Sequence, residues 1–249
     1  MIATLSAALI SRLMPSKIVK SPSLVGTILV TPLALRISAV MNAVLVVSLL
    51  AAGFSQGSAA AERSEAGSVR TVLVLGDSIS AGYGIQRDHG WVALLSTRLN
   101  ESDQQFNVVN ASISGETTGG GLARLPLALK THQPDVVIVE LGGNDGLRGY
   151  PLAQIRANLE RIGKLSQTAG AELVFLGMRI PPNYGARYAN AFHRVFAEVA
   201  EAFDAPLMPF FLEGVALTPG MMQSDGIHPT QAAQPLLLDN AWAALSPLI

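Results

Sequence analysis

Val72-Leu73-Val74-Leu75-Gly76-Asp77-Ser78-Ile79-Ser80-Ala81-Gly82 is an apolar run that stops abruptly at a small, polar turn. Four consecutive aliphatic residues, two of them β-branched, suit a strand covered on both faces, and Gly76 allows a sharp turn before a helix is expected to begin. Ser78 would then stand at a helix N-terminus, where free backbone N–H groups favour developing negative charge. On this stretch alone Ser78 reads first as a helix cap, since Asp and Ser are common caps, and only second as a nucleophile. The rest of the chain has to decide.

Working outward, the same strand-then-helix alternation repeats. Phe106 to Asn110 reads as a second strand, Asp135 to Leu141 as a central one and Leu173 to Leu176 as a fourth. Helical periods run through Trp91 to Leu99, through Leu122, Leu125 and Leu129 with Pro126 expected early in the helix, and from Pro151 to Gly170. They continue through Phe192, Val195, Phe196, Val199 and Phe203, and through Leu236, Leu237, Ala241 and Leu245. Strands alternating with helices imply a mostly parallel sheet with helices on both faces, a three-layer α/β/α fold in one domain over residues 69–249.

Residues 1–61 differ in character: they contain Arg12, Lys17, Lys20 and Arg36 and no acid. Met41 to Gly53 has the length of a signal-peptide apolar core, and Ala59-Ala60-Ala61 offers small residues for cleavage. The expectation is an N-terminal extension with an apolar region at about 41–53 and a periplasmic or secreted product. The alternative is anchoring by an uncleaved segment, although Pro32 and Arg36 interrupt the longer apolar stretch. With those four bases set aside, 13 of the 17 bases face all 18 acids, a formal balance of −5 that argues against nucleic acid as a partner. The absence of cysteine excludes disulfides and thiolate catalysis.

In an open parallel sheet, functional residues gather beyond the carboxyl ends of the strands. Those loops hold Gly76-Asp77-Ser78, then Ala111 to Thr117 with Gly115, then Gly142-Gly143-Asn144-Asp145; the loop before the last helix, Ser224 to Thr230, belongs on the same edge. Serine needs a base within hydrogen-bond reach, and His228 can serve near neutral pH. Asp225 could orient the imidazole from the same loop. Attack on an acyl carbon creates an oxyanion, for which Asn144 and the N–H groups of Ser78 and Gly115 would be donors. Asp225 and His228 as metal ligands have no second pair at ligand spacing, so no metal is expected. Gly119 to Gly121 does not form the G-x-G-x-x-G dinucleotide pattern, and no cofactor is expected. Asn144 and Asp145 could instead only shape a turn, and Glu140 reads as a hydrogen-bonded strand-end residue.

These four ordered blocks resemble the SGNH, or GDSL-type, hydrolases. The stretches Asn110 to Gly115, Val139 to Gly149 and Pro182-Asn183-Tyr184-Gly185 are similar to a bacterial group of multifunctional thioesterases, lysophospholipases and arylesterases. The likeness spans Thr71 to Leu248, with Ile79 where the family nickname has leucine. It implies a flavodoxin-like fold and a serine esterase acting on carboxylic esters and thioesters through an acyl-enzyme. In that resemblance Ser78 is the nucleophile, Asp225 and His228 complete the triad, and Ser78, Gly115 and Asn144 form the oxyanion hole. Leu147, Tyr150, Pro151, Ile180, Pro182 and Tyr184 are candidates for the acyl-binding surface. A small acyl ester or thioester as partner, no membrane span in the mature form and a monomer complete the expectation. A carbohydrate O-acetylesterase, an acyltransferase and a catalytically silent binding protein are the rivals.

Overall fold

The structure, a computed structural model, describes residues 69–101 and 105–249. The expected N-terminal extension, residues 1–61, with its apolar stretch at 41–53 lies outside the described residues. Five strands form one parallel sheet: β1 (Arg70–Gly76), β2 (Phe106–Asn110), β3 (Val136–Glu140), β4 (Glu172–Leu176) and the short β5 (Leu207–Met208), in the order β2-β1-β3-β4-β5. β1 is flanked on both sides, which is why Val72 to Leu75 are fully buried and could be continuously apolar. Val136 to Val139 of β3 are buried in the same way.

Among the described residues six α-helices accompany the sheet: α1 (Trp91–Asn100), α2 (Thr118–His132), the short α3 (Gly143–Leu147), α4 (Leu152–Thr168), α5 (Ala186–Ala202) and α6 (Gln234–Leu245). α1 packs with α6, while α2 packs with α4 and α4 with α5, giving a helical layer on each face. Trp91 on α1 meets Phe211 edge-on with ring centroids 5.3 Å apart, and both are fully buried. Phe192 and Phe196 make a similar T-shaped contact, also at 5.3 Å, on the opposite layer. The three-layer expectation is met.

Three local expectations are corrected. No helix begins at Ser78: the chain from Asp77 to Gly84 runs through consecutive turns, a short 3-10 turn follows at Arg87–His89, and the next α-helix starts at Trp91. The hydrogen bonds Ala81 N–H to Asp77 O and Tyr83 N–H to Ser78 O close those turns without continuing as a helix. Second, α2 begins at Thr118, so Pro126 lies in its interior instead of early in it, on an exposed position. Gly119 to Gly121 are the opening turn of that helix, because Thr117 caps it by accepting from Gly120 N–H at 3.2 Å. Gly121 is needed for close approach to the sheet, since a Cβ there would stand 2.3 Å from Leu141 Cδ1. Third, Gly143 to Leu147 is a helical turn and no simple loop.

In the strand order, the connections leaving β1 and β3 diverge to opposite faces. The carboxyl ends of these two adjacent strands therefore border a crevice, and Ser78 and Asn144 stand on its two sides.

Candidate active site

The turn that carries Ser78 is pinned from below. Asp77 Oδ1 accepts from Ile79 N–H at 3.0 Å, and Glu140 Oε2 at the end of β3 accepts from Asp77 N–H at 3.2 Å and from the Ser80 hydroxyl at 2.6 Å. Trp91 Nε1–H in turn donates to Ser80 Oγ at 3.2 Å. The residues on both sides of Ser78 are thus held by one buried carboxyl, as expected for a hydrogen-bonded strand-end Glu140. Ser78 itself is nearly buried, at 8% exposure.

Across the cleft, His228 Nδ1 lies 2.7 Å from Asp225 Oδ2 and His228 Nε2 lies 2.9 Å from Ser78 Oγ. An ionised carboxylate can only accept, so the imidazole proton sits on Nδ1 and the Nε2 lone pair faces the serine hydroxyl. Asp225 Oδ1 also accepts from the N–H groups of Ile227 and His228, at 2.9 and 3.0 Å. The hydrogen bond from the His228 side chain, then those backbone bonds, hold the Asp225 carboxyl down at about 2. It stays ionised throughout the neutral range. The Tyr83 ring, half exposed, packs against the imidazole with centroids 4.4 Å apart.

Three donors line the same cleft of about 380 Å³. Gly115 adopts φ +80°, a left-handed conformation that suits glycine, and its N–H donates to no described residue; the same is true of Ser78 N–H. Asn144 Nδ2 donates one hydrogen to Asp77 Oδ2 at 3.1 Å, which fixes the amide plane and leaves its second hydrogen. The Gly115 loop is secured by Arg148, whose Nη2 donates to Gly115 O at 3.1 Å, and by Arg124. Arg124 donates to Glu116 at 2.8 Å, to Gly76 O at 3.3 Å and to Ala111 O. Asp145 plays a structural part, accepting from Thr118 N–H at 2.9 Å and Thr118 Oγ1–H at 2.6 Å and so joining α3 to α2.

The structure thus brings Ser78, Asp225, His228, Gly115 and Asn144 together. Of the six candidates for the acyl surface, Leu147 lines the cleft, and Tyr150, Pro151, Ile180 and Tyr184 are not among the described residues that line it. Ile180 is buried beside Gly146 in the core, Tyr150 is half-buried with its carbonyl accepting from Tyr188 OH, and Pro151 caps α4 at the surface. Pro182 and Tyr184 belong to a short 3-10 turn, with Tyr184 exposed. Tyr83, Ser114 and Ile227 also line the cleft and were missed by sequence reasoning. Their signal was position, since each lies within five residues of a residue already singled out.

Burial pushes the Asp77 carboxyl up to about 6, against the pull of Ile79 N–H, His228 and Asn144. Glu140, fully buried and beside the Asp77 charge, is raised well above the usual range. Both groups ionise near pH 4 in the unfolded chain. Between that pH and their folded values the native state binds more protons, so their contribution to stability is fully present below about pH 4. It is lost as pH rises through about 6 for Asp77 and further for Glu140. Glu140→Gln removes one of these titrations. Its denaturation midpoint in urea, relative to the parent protein, is expected to improve steadily from about pH 4 to about pH 8. A difference that stays constant over that range would show that Glu140 carries its charge in the fold.

Comparisons with known proteins show the family of the chain. Residues 74–235 match the family model described as GDSL-like Lipase/Acylhydrolase family. Esterase TesA of Pseudomonas aeruginosa is 53% identical over 180 residues, covering 72% of this chain and 90% of the relative. Thioesterase 1/protease 1/lysophospholipase L1 of Escherichia coli K12 is 49% identical over 179 residues, covering 72% of this chain and 85% of the relative. Among solved structures, the psychrotrophic esterase EstA from Pseudoalteromonas sp., inhibited by monoethylphosphonate, superimposes with a TM-score of 0.69 at 42% identity, covering 72% of this chain and 97% of that one. The chain belongs to the GDSL-like lipase/acylhydrolase family, the SGNH hydrolases.

Proposed function

We propose that this chain is a serine esterase that hydrolyses carboxylic esters and thioesters, aryl esters, lysophospholipids and acyl-CoA among them, through an acyl-enzyme. The observation that carries the reading is the unbroken line from Asp225 through His228 to Ser78 Oγ, with hydrogen-bond distances of 2.7 and 2.9 Å. The two relatives' names add esterase, thioesterase and lysophospholipase activities.

In this reading His228 Nε2 takes the Ser78 hydroxyl proton as Oγ attacks the acyl carbon. The oxyanion is received by Ser78 N–H, Gly115 N–H and the second Asn144 Nδ2–H. Collapse of the tetrahedral intermediate breaks the bond to the alcohol or thiol, which leaves with the proton held on His228. A water molecule then attacks the acyl-enzyme, giving its proton to His228, and the carboxylic acid departs as Oγ recovers the proton. Asp225 keeps the imidazole in the productive tautomer and stabilises its charged form. The acyl chain runs along Leu147, Ile227 and Tyr83, three of the larger apolar side chains of the cleft lining.

Export to the periplasm fits the basic, acid-free leader with its apolar stretch. No helix among the described residues is long and apolar enough to cross a membrane.

The direct test is labelling with an organophosphonate followed by peptide mass spectrometry. A single stoichiometric adduct on the peptide containing Ser78 is expected, together with loss of esterase activity in proportion to labelling. An unlabelled Ser78 in an inhibited enzyme would overturn the reading.

A further inference from the structure

The loop that carries Asp225 and His228 is closed on itself. Met222 and Pro229 form an antiparallel bridge, Gln223 N–H donates to His228 O at 2.7 Å, and Thr230 N–H donates to Met221 O at 2.8 Å. These local bonds fix Asp225 relative to His228. They leave open what fixes His228 relative to Ser78, which lies 150 positions away in sequence.

One side chain joins the two loops. Gln223 Nε2 donates at 2.8 Å to Tyr83 O, on the nucleophile turn, and at 2.9 Å to Pro229 O, beside the base. Tyr83 N–H is itself bonded to Ser78 O at 3.0 Å, and its ring packs against the His228 imidazole. The contacts make a closed circuit: Ser78 to Tyr83, Tyr83 to Gln223, Gln223 to the His228 segment, and His228 Nε2 back to Ser78 Oγ. Both acceptors are backbone carbonyls, so only a neutral amide or a cation, with two hydrogens on one nitrogen, can serve them together. A carboxylate of the same shape would face two oxygens, and an aliphatic chain would offer neither bond.

We propose that Gln223 is a positioning residue that clips the base loop to the nucleophile turn and so sets the Ser78–His228 distance. The proposal rests on the reading of Ser78, Asp225 and His228 as the triad. It assigns Gln223 no contact with substrate: its effect passes through His228. A misplacement of about 1 Å in such a pair costs on the order of 10²-fold in rate.

The test uses the whole enzyme with Gln223→Leu and, should that variant fold poorly, the isosteric Gln223→Glu, each alone and combined with His228→Ala. The readouts are kcat and KM on a p-nitrophenyl ester, the rate of phosphonate labelling of Ser78, and thermal melting. A fall in kcat of about 10- to 10²-fold is expected with KM within about twofold, the labelling rate falling in step. In the His228→Ala background the same change should cost nothing further, because residues that act as a unit are not additive. Unchanged kcat in a folded variant, a loss confined to KM, or an equal loss in the His228→Ala background would each overturn the clip. Parental activity in His228→Ala alone would overturn the triad reading and the clip with it, whereas an inactive His228→Ala beside a fully active Gln223 variant rejects only the clip.

Discussion

Ser78→Ala and His228→Ala are each expected to lower kcat for an aryl ester by on the order of 10⁴- to 10⁶-fold, with little change in KM and an intact fold. The size follows from how the pair works. In the proposed mechanism Ser78 Oγ is a weak nucleophile until Nε2, 2.9 Å away, removes its proton, and Nε2 has no productive role without the hydroxyl it faces. Removing both should therefore cost no more than removing one, and the double variant is the sharper measurement. Steady-state assays on the three variants, with circular dichroism to establish folding, suffice. A double variant that loses the product of the two single factors would mean that the residues act independently, and the proton transfer between them would have to be abandoned.

Asn144→Ala is expected to lower kcat by on the order of 10²- to 10³-fold, the usual effect of deleting one oxyanion donor. Asn144 reaches the cleft on the first turn of α3, immediately beyond the central strand β3, and its amide is oriented by the 3.1 Å bond to Asp77 Oδ2. The donor is held ready before any charge develops, so the loss should fall on kcat with KM nearly unaffected. The same change removes a bond that favours the charged form of Asp77, so the Asp77 carboxyl moves further up from about 6. Ser78 labelling by a phosphonate, whose anionic adduct occupies the same donors, should slow in parallel. A parallel drop in ester affinity with unchanged kcat would remove Asn144 from the oxyanion site and leave it as a tether for Asp77.

Much of this arrangement was legible in the residues, for reasons that differ from place to place. β1 and β3 are central in the sheet, so burial on both faces forced continuous aliphatic runs, which announce themselves. The ends of those strands carried Ser78 and Asn144, and the parallel-sheet rule gathered their loops on one edge. The turns after Gly76 were misread as a helix because small polar residues favour both. What decides is long-range: Glu140 takes up Asp77 N–H and the Ser80 hydroxyl, and nothing near Ser78 in sequence reveals a partner 60 residues on. Pro126 misplaced the start of α2 because proline is easiest to accept in a first turn. On an exposed position of this helix it is accommodated further in, while the true start is set by the Thr117 cap and by Gly121 against Leu141. The acyl surface was the least legible part. Ile180 and Leu147 are both aliphatic residues in or beside loops, and only the packing of Ile180 against Gly146 separates core from cleft.

The hairpin from Met221 to Thr230 has a consequence for how such an enzyme can diversify. Asp225 and His228 are locked to each other by bonds spanning a few residues, and the hairpin meets the turn that carries Ser78 as a finished cassette. Between Tyr83 and Gln223 the chain passes through several surface connections, whose lengthening costs closure entropy only as the logarithm of their length. Insertions there, whether lids, substrate walls or whole subdomains, can therefore be accommodated while the hydrogen-bonded line of Asp225, His228 and Ser78 is kept intact.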